Sequence, residues 1–343
     1  MTSSIWKAQI PISKLSAVEK ALLTAFKTEI VDDIQELKGG LSPALVYRIQ
    51  VKGKQYILRV VMLATILNSP ARQYACMKLA ADAGIAPPVL YSSPEDAVTI
   101  VEYIQTHPLP FECEAAASLA CHLASTIRRL HGLPPFPMFI NYLDALDLWV
   151  QGCRVSIDPR PNDVLKACLD KYSVLRKAYP NDPELVSSHN DLNINNLLFD
   201  GERVWIIDWE ASCLGDRFVD LANIANSFLS TPEQEERYLR VYFGDSLDDT
   251  KRARFYLMRQ ACHLFYALVL YNTALAFRAV DPADVKSCNV PRLRVAYEQA
   301  RAGDLNIANY EGQALMTKVF LNEAWLGLTS PSFDRAIRVL EAA

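Results

Sequence analysis

The sequence predicts an α+β fold in two lobes: a small antiparallel β-sheet lobe over residues 1–104 and a large, mainly helical lobe over 105–343. Three observations predict it. Apolar residues alternate with polar ones in short runs through the first hundred positions, and from Glu112 onward they recur at helical spacing. Two prolines and a histidine within Thr106–Pro110 mark a shift in composition between the two patterns. The chain's 343 residues, 51 % hydrophobic, are enough for one two-lobed domain or for two domains.

In chain order, residues 15–30 carry helical periodicity. Residues 34–37, 45–51 and 55–61 read as strands. The first pair is joined through Gly39-Gly40-Leu41-Ser42 and the second by a tight Lys52-Gly53-Lys54 turn. Residues 70–83 form a helix that Gly84 ends and Pro87-Pro88 follows. Strands at 89–91 and 98–104 flank a Ser93-Pro94-Glu95-Asp96 turn. Beyond the boundary, helices are expected at 113–131, 162–178, 216–229, 232–243, 248–279, 292–302, 308–326 and 331–341, with a hairpin-like segment around 186–210.

The net charge of −4 argues against a nucleic-acid footprint and fits a positively charged substrate. Eight cysteines are scattered, with no C-x-x-C pair and no histidine at metal spacing, and read as small buried hydrophobes in a reducing compartment. The first residues lack the apolar segment of a leader peptide, and no stretch approaches eighteen apolar residues. A cytoplasmic location without membrane insertion is expected.

One segment carries the chemistry. His189-Asn190-Asp191 is followed five residues later by Asn196, and an apolar run ends in Ile207-Asp208-Trp209-Glu210. Phosphoryl transfer needs a carboxylate to orient the attacking hydroxyl and oxygen ligands for magnesium, and this order supplies both. Asp191 is the expected catalytic carboxylate; alone, it would read as a turn-capping residue. Asn196 and Asp208 are the expected magnesium ligands, with Glu210 either at a second metal site or at the surface. His189 fits an orienting role beside the loop. Asp220 either pins that loop or lies exposed on its helix. In the first lobe, Gly39, Gly40, Leu41 and Ser42 either let backbone amides approach phosphates or form a plain hairpin loop. Arg59, a cation in an otherwise apolar strand, is placed to meet phosphates or faces solvent at a strand edge.

Together these residues resemble the choline/ethanolamine kinase and aminoglycoside phosphotransferase families of the kinase-like superfamily. The pattern H-x-D-x-x-x-x-N is matched by His189, Asp191 and Asn196, and the pattern I-D-[FW]-E by Ile207 to Glu210. An arginine followed by F-x-D-x-A-N is matched by Arg217, Phe218, Asp220, Ala222 and Asn223, with Arg217 and Asp220 as structural support. The resemblance implies a two-lobed protein-kinase-like fold, ATP and Mg as cofactors, and adenine bound by the hinge backbone at Glu102, Tyr103 and Ile104. Two departures stand out. The inserted helix has no glutamate to pair with Arg59, and Gln73 stands at the nearest equivalent position. The helix that would furnish an aromatic cage for a quaternary ammonium offers Tyr256, Phe265, Tyr266 and Tyr271 but no tryptophan, and aromatics at helical spacing read either as cage or as core packing.

The expected activity is an ATP- and Mg-dependent kinase acting on the hydroxyl of a small cationic amino alcohol, with choline or ethanolamine first. Aminoglycosides, thiamine or other small alcohols are the alternative acceptors. A non-catalytic nucleotide-binding pseudokinase is the alternative from another class.

Overall fold

A computed structural model describes residues 6–37, 44–66, 68–156, 164–180, 184–275 and 290–343. The chain divides into two compact units. One comprises Met1–Leu109, Gly132–Pro137 and Asn195–Leu214, and the other Pro110–His131, Met138–Ile194 and Gly215–Ala343.

The first unit is built on a five-stranded antiparallel sheet: β1 (Asp33–Glu36), β2 (Leu45–Val51), β3 (Lys54–Val60), β4 (Val89–Ser93) and β5 (Val98–Glu102), in the order β1-β2-β3-β5-β4. Alternation decides which face is buried: Tyr47, Ile49 and Val51 of β2 and Leu58 and Val60 of β3 turn inward. They pack with Trp6 and with Val18, Leu22 and Phe26 of helix α1 (Leu15–Phe26). The β2–β3 turn places Lys52 and Gly53 at φ 52° and 76°, the two positive angles that a tight two-residue hairpin requires. Helix α1 ends earlier than its apolar periodicity suggests. Lys27 adopts a left-handed conformation and donates its N–H to Leu23 O, which closes the last turn.

Helix α2 (Pro70–Asp82) lies between β3 and β4 in sequence, with Pro70 in its first turn. Strand β5 stops at Glu102, two residues short of expectation, where Glu102 N–H bonds Pro88 O at 2.9 Å. His107 N–H bonds Phe199 O at 2.7 Å and ties the end of this segment to a hairpin.

The second unit is helical: α3 (Cys113–His131), α4 (Tyr142–Ser156), α5 (Val164–Ala178), α6 (Arg217–Phe228), α7 (Pro232–Phe243), α8 (Asp249–Leu275), α9 (Leu293–Ala302), α10 (Tyr310–Leu328) and α11 (Pro331–Glu341). A short strand β6 (Val186–Ser188) precedes His189. Helices α4, α6, α10 and α11 all pack on the long α8. Side-chain caps start several helices at their predicted places: Asp216 accepts from Phe218 N–H, Thr231 from Gln234 N–H and Asn309 from Gly312 N–H. Helix α4 is absent from the sequence expectation. Its start signal is Asn141, whose side chain accepts the Leu143 N–H at 2.9 Å.

Among the described residues, no helix is long and apolar enough to cross a membrane. The glycine-rich segment Gly39, Gly40, Leu41 and Ser42 lies outside the described residues.

Candidate active site

In the second unit, β6 delivers Ser188 and His189 into the interior, both fully buried. Asn190 then takes a left-handed conformation, φ 64°, which asparagine tolerates better than most residues. Asp220 of α6 holds this bend in place. It is 0 % exposed; its Oδ2 accepts His189 N–H at 2.8 Å and its Oδ1 accepts Asn190 N–H at 2.7 Å. His131 Nε2 lies 3.0 Å from Asp220 Oδ2, and Tyr242 Oη meets His131 Nδ1 at 2.6 Å. Burial alone would raise the Asp220 carboxyl, but the bonds and charge of His131 and the backbone donor outweigh it and hold the group below its ordinary value. The exposed alternative for Asp220 is thereby excluded.

Asp191 follows directly. Its Oδ1 accepts two hydrogen bonds, from Tyr266 Oη at 2.5 Å and from Asn193 Nδ2 at 2.9 Å. Its backbone N–H donates to His189 Nδ1 at 3.3 Å. Tyr266 stacks on Phe320, centroids 5.3 Å apart, and meets Phe265 edge-on. Tyr142 packs against Phe265 at 4.7 Å. Burial first, then the Asp191 charge, pushes the Tyr266 phenol well above its ordinary value, so it stays a protonated donor.

Of the four aromatics named for a substrate cage, Tyr266 bonds Asp191 directly and Phe265 packs edge-on against Tyr266. Tyr256 does neither: it lies ten residues, about 15 Å of helix rise, before Tyr266 on α8. Its hydroxyl donates to Gly327 O of α10 at 2.8 Å, so it serves helix packing. Tyr271 is buried, 7 % exposed, in the helical core. Arg217 bonds Glu184 through the backbone oxygen (3.0 Å) and the carboxylate (3.1 Å), an anchor for the chain just before β6.

Sequence reasoning did not single out His131, Asn193 or Gly215. A β-carbon on Gly215 would sit 2.9 Å from Asn190 Oδ1, so only glycine leaves room for that side chain. The signal for it was present, a glycine immediately before the Asp216 cap.

In the first unit, β7 (Leu197–Phe199) and β8 (Val204–Ile206) form a two-stranded antiparallel hairpin. Asp200 fixes its turn by accepting Glu202 N–H, Arg203 N–H and the Trp205 indole N–H. At the open end, Ile207 N–H donates to Asn196 O at 3.0 Å. The ladder therefore brings Asn196 to the end of the hairpin where Asp208 leaves it. Asp208 is left-handed, φ 63°. Its Oδ1 is a buried carboxylate oxygen with no hydrogen-bond partner, 3.5 Å from Arg59 Nη1. Burial raises the Asp208 carboxyl, Arg59 opposes that rise, and Glu210 adds to it.

Arg59 projects from the next-to-last position of β3, opposite Val46 on one side and Thr99 on the other. Its Nη1 donates to Gln73 Oε1 at 3.0 Å, and its Nη2 pairs with the Glu210 carboxylate. Arg72 Nη2 donates to Glu210 O at 2.8 Å. The cation is thus turned toward the Asp208–Glu210 segment, and the solvent-facing alternative is excluded. Glu210, expected at a second metal, has its carboxylate on Arg59. Where the hinge is expected, Glu102 N–H is engaged with Pro88 O, and Tyr103 N–H bonds Gln55 O at 3.4 Å; Ile104 follows just past the strand end.

Residues 33–256 match the sequence model of the phosphotransferase enzyme family. The chain belongs to the phosphotransferase enzyme family. The chain is similar in structure to a choline/ethanolamine kinase family protein from Mesorhizobium loti (TM-score 0.66, 21 % identity, 95 % of this chain and 99 % of that one). It is also similar to a choline kinase from Cryptosporidium parvum (TM-score 0.63, 15 % identity, 91 % and 92 %). A spectinomycin phosphotransferase, solved with ADP and spectinomycin, matches at TM-score 0.57 and 15 % identity over 89 % and 98 %. These are likenesses of fold, and they show the expected kinase-like architecture of a small antiparallel sheet with a helical lobe. A curated relative, an uncharacterized protein of Metamycoplasma hominis, is 27 % identical over 161 residues, 45 % of this chain and 29 % of the relative's length.

Proposed function

We propose that the chain transfers the γ-phosphoryl group of ATP, with magnesium, to the hydroxyl of a small cationic amino alcohol, choline or ethanolamine. The observation that carries this reading is Asp191: a carboxylate held by Asn193 and by Tyr266, whose ring packs against Phe265 and Phe320. Ring faces and a carboxylate together suit an alcohol that also bears a positive charge.

The chain's residues take these roles. Asp191 accepts the hydrogen bond of the acceptor hydroxyl and aims its oxygen for in-line attack. Tyr266 and Asn193, both on Oδ1, fix the rotation of the carboxylate, and Asp220 fixes the backbone beneath it. The buried Oδ1 of Asp208, which accepts no hydrogen bond, and the amide of Asn196 fit a hard cation, and these two residues would hold magnesium. Among the described residues there is no cluster of three or more metal-binding side chains. A magnesium site completed by water and nucleotide phosphates needs none. When bound, the ion neutralises charge on the phosphates during transfer. Arg59 supplies further positive charge toward those phosphates, and the backbone at Glu102–Ile104 receives the adenine.

The test is a coupled ADP-release assay of purified protein against choline, ethanolamine, thiamine, homoserine and aminoglycosides. Turnover with choline or ethanolamine is expected, and Asp191→Ala should lower kcat by about 10²–10⁴-fold while nucleotide still binds. Turnover confined to another acceptor would refute the amino-alcohol assignment. Nucleotide binding without turnover on any acceptor would favour a pseudokinase.

A further inference from the structure

Arg59 lacks the glutamate that its partner helix was expected to supply, and α2 contains none. The structure puts Gln73 there: 2 % exposed, anchored by its Nε2 to Asn68 O at 3.2 Å and offering Oε1 to Arg59. An amide can orient the guanidinium but cannot balance its charge. The balancing carboxylate comes from Glu210, distant in sequence and on the loop that follows Asp208. The same helix α2 fixes that loop: Arg72 donates to Glu210 O, and Cys76 Sγ lies 3.8 Å from Ser212 O.

We infer that Glu210 is the positioning carboxylate of Arg59, in place of a helix glutamate, and that it keeps Arg59 off Asp208. This rests on the phosphate-facing role proposed for Arg59 above. Arg59 Nη1 lies 3.5 Å from Asp208 Oδ1, so two carboxylates compete for one guanidinium. While Glu210 and Gln73 hold the fork, Asp208 remains available to a metal ion. With both neighbours neutral, the nearest anion is Asp208, and an arginine resting on it would displace a cation from the same oxygen. Glu210 therefore acts through Arg59 and touches neither reactant.

The exchange of roles between Glu210 and Gln73 can be tested by moving the carboxylate back onto α2. Glu210→Gln should lower the thermal unfolding midpoint of the metal- and nucleotide-free protein and weaken magnesium·ADP binding by about tenfold. Gln73→Glu in that background should restore the midpoint and bring binding to within about threefold of the starting protein. In an Arg59→Met background, Glu210→Gln should change neither quantity. A double variant as weak as Glu210→Gln alone would overturn the inference, because a metal ligand cannot be replaced from α2. So would an unfolding midpoint indifferent to Glu210→Gln. The unfolding comparison needs no nucleotide. It can therefore fail while the phosphotransfer reading stands, and it still reports on the pair if that reading fails.

Discussion

Asp220→Asn is the most informative single replacement in the second unit. The native carboxylate is wholly buried and accepts from two backbone N–H groups and from His131. Asparagine keeps the shape but has only one accepting oxygen, and its NH₂ must face a donor. At least one donor of the set, His189 N–H, Asn190 N–H or the His131 ring, loses its partner. Breaking a buried charge-assisted set of this kind costs about 3–5 kcal/mol, against a typical total of about 5–15 kcal/mol. A midpoint lower by about 5–15 °C is expected in a thermal melt followed by circular dichroism. Because Asp220 sets the His189–Asn190 bend, kcat should fall as well, even though Asp220 touches no reactant. The pH dependence has a definite sign. A carboxyl held below its ordinary value contributes stability that is present above about pH 4 and is lost as pH falls through its folded value. The native protein should therefore lose its margin over Asp220→Asn in acid. A variant melting within about 2 °C of native at pH 7 would refute this account of the loop.

Two further outcomes follow, one from the contacts of Asp191 and one from a buried histidine. Tyr266→Phe keeps the stack on Phe320 but removes one of the two donors on Asp191 Oδ1; steady-state kinetics should show kcat lowered by about tenfold with the melting midpoint nearly unchanged. His263 is 5 % exposed, and burial pulls its imidazole down to about 3. The unfolded chain binds a proton there near pH 6.5 and the folded chain does not. Stability is therefore full above about pH 6.5 and falls by about 2 kcal/mol on acidification to pH 5. Urea midpoints at pH 7 and 5 should show that slope, reduced in His263→Phe.

Most of the elements were legible because local chemistry encodes them. Alternation on β2 and β3, the Lys52-Gly53 turn, and the caps at Asp216, Thr231 and Asn309 are each readable within a few residues. Helix α4 escaped because its start depends on the single side chain of Asn141. Phe265 and Tyr266 could be proposed for the site, but their helix spacing placed them no better than Tyr256. All lie on one long helix packed by α4, α6, α10 and α11, and spacing alone does not tell which turn of it reaches Asp191.

The sequence by itself determined the order of chemical groups: Asp191, then Asn196, then Asp208, with a lone arginine in β3 and no glutamate in α2. That order follows the chain, and a hairpin of fixed length must bring Asn196 to the Asp208 end. The partners were decided only in three dimensions. Asp220 is thirty-one residues from His189 and 100 % enclosed, and Glu210 is 151 residues from Arg59. A charge taken out of water binds whichever opposite charge or donor the packing brings within reach, and sequence separation does not enter that choice.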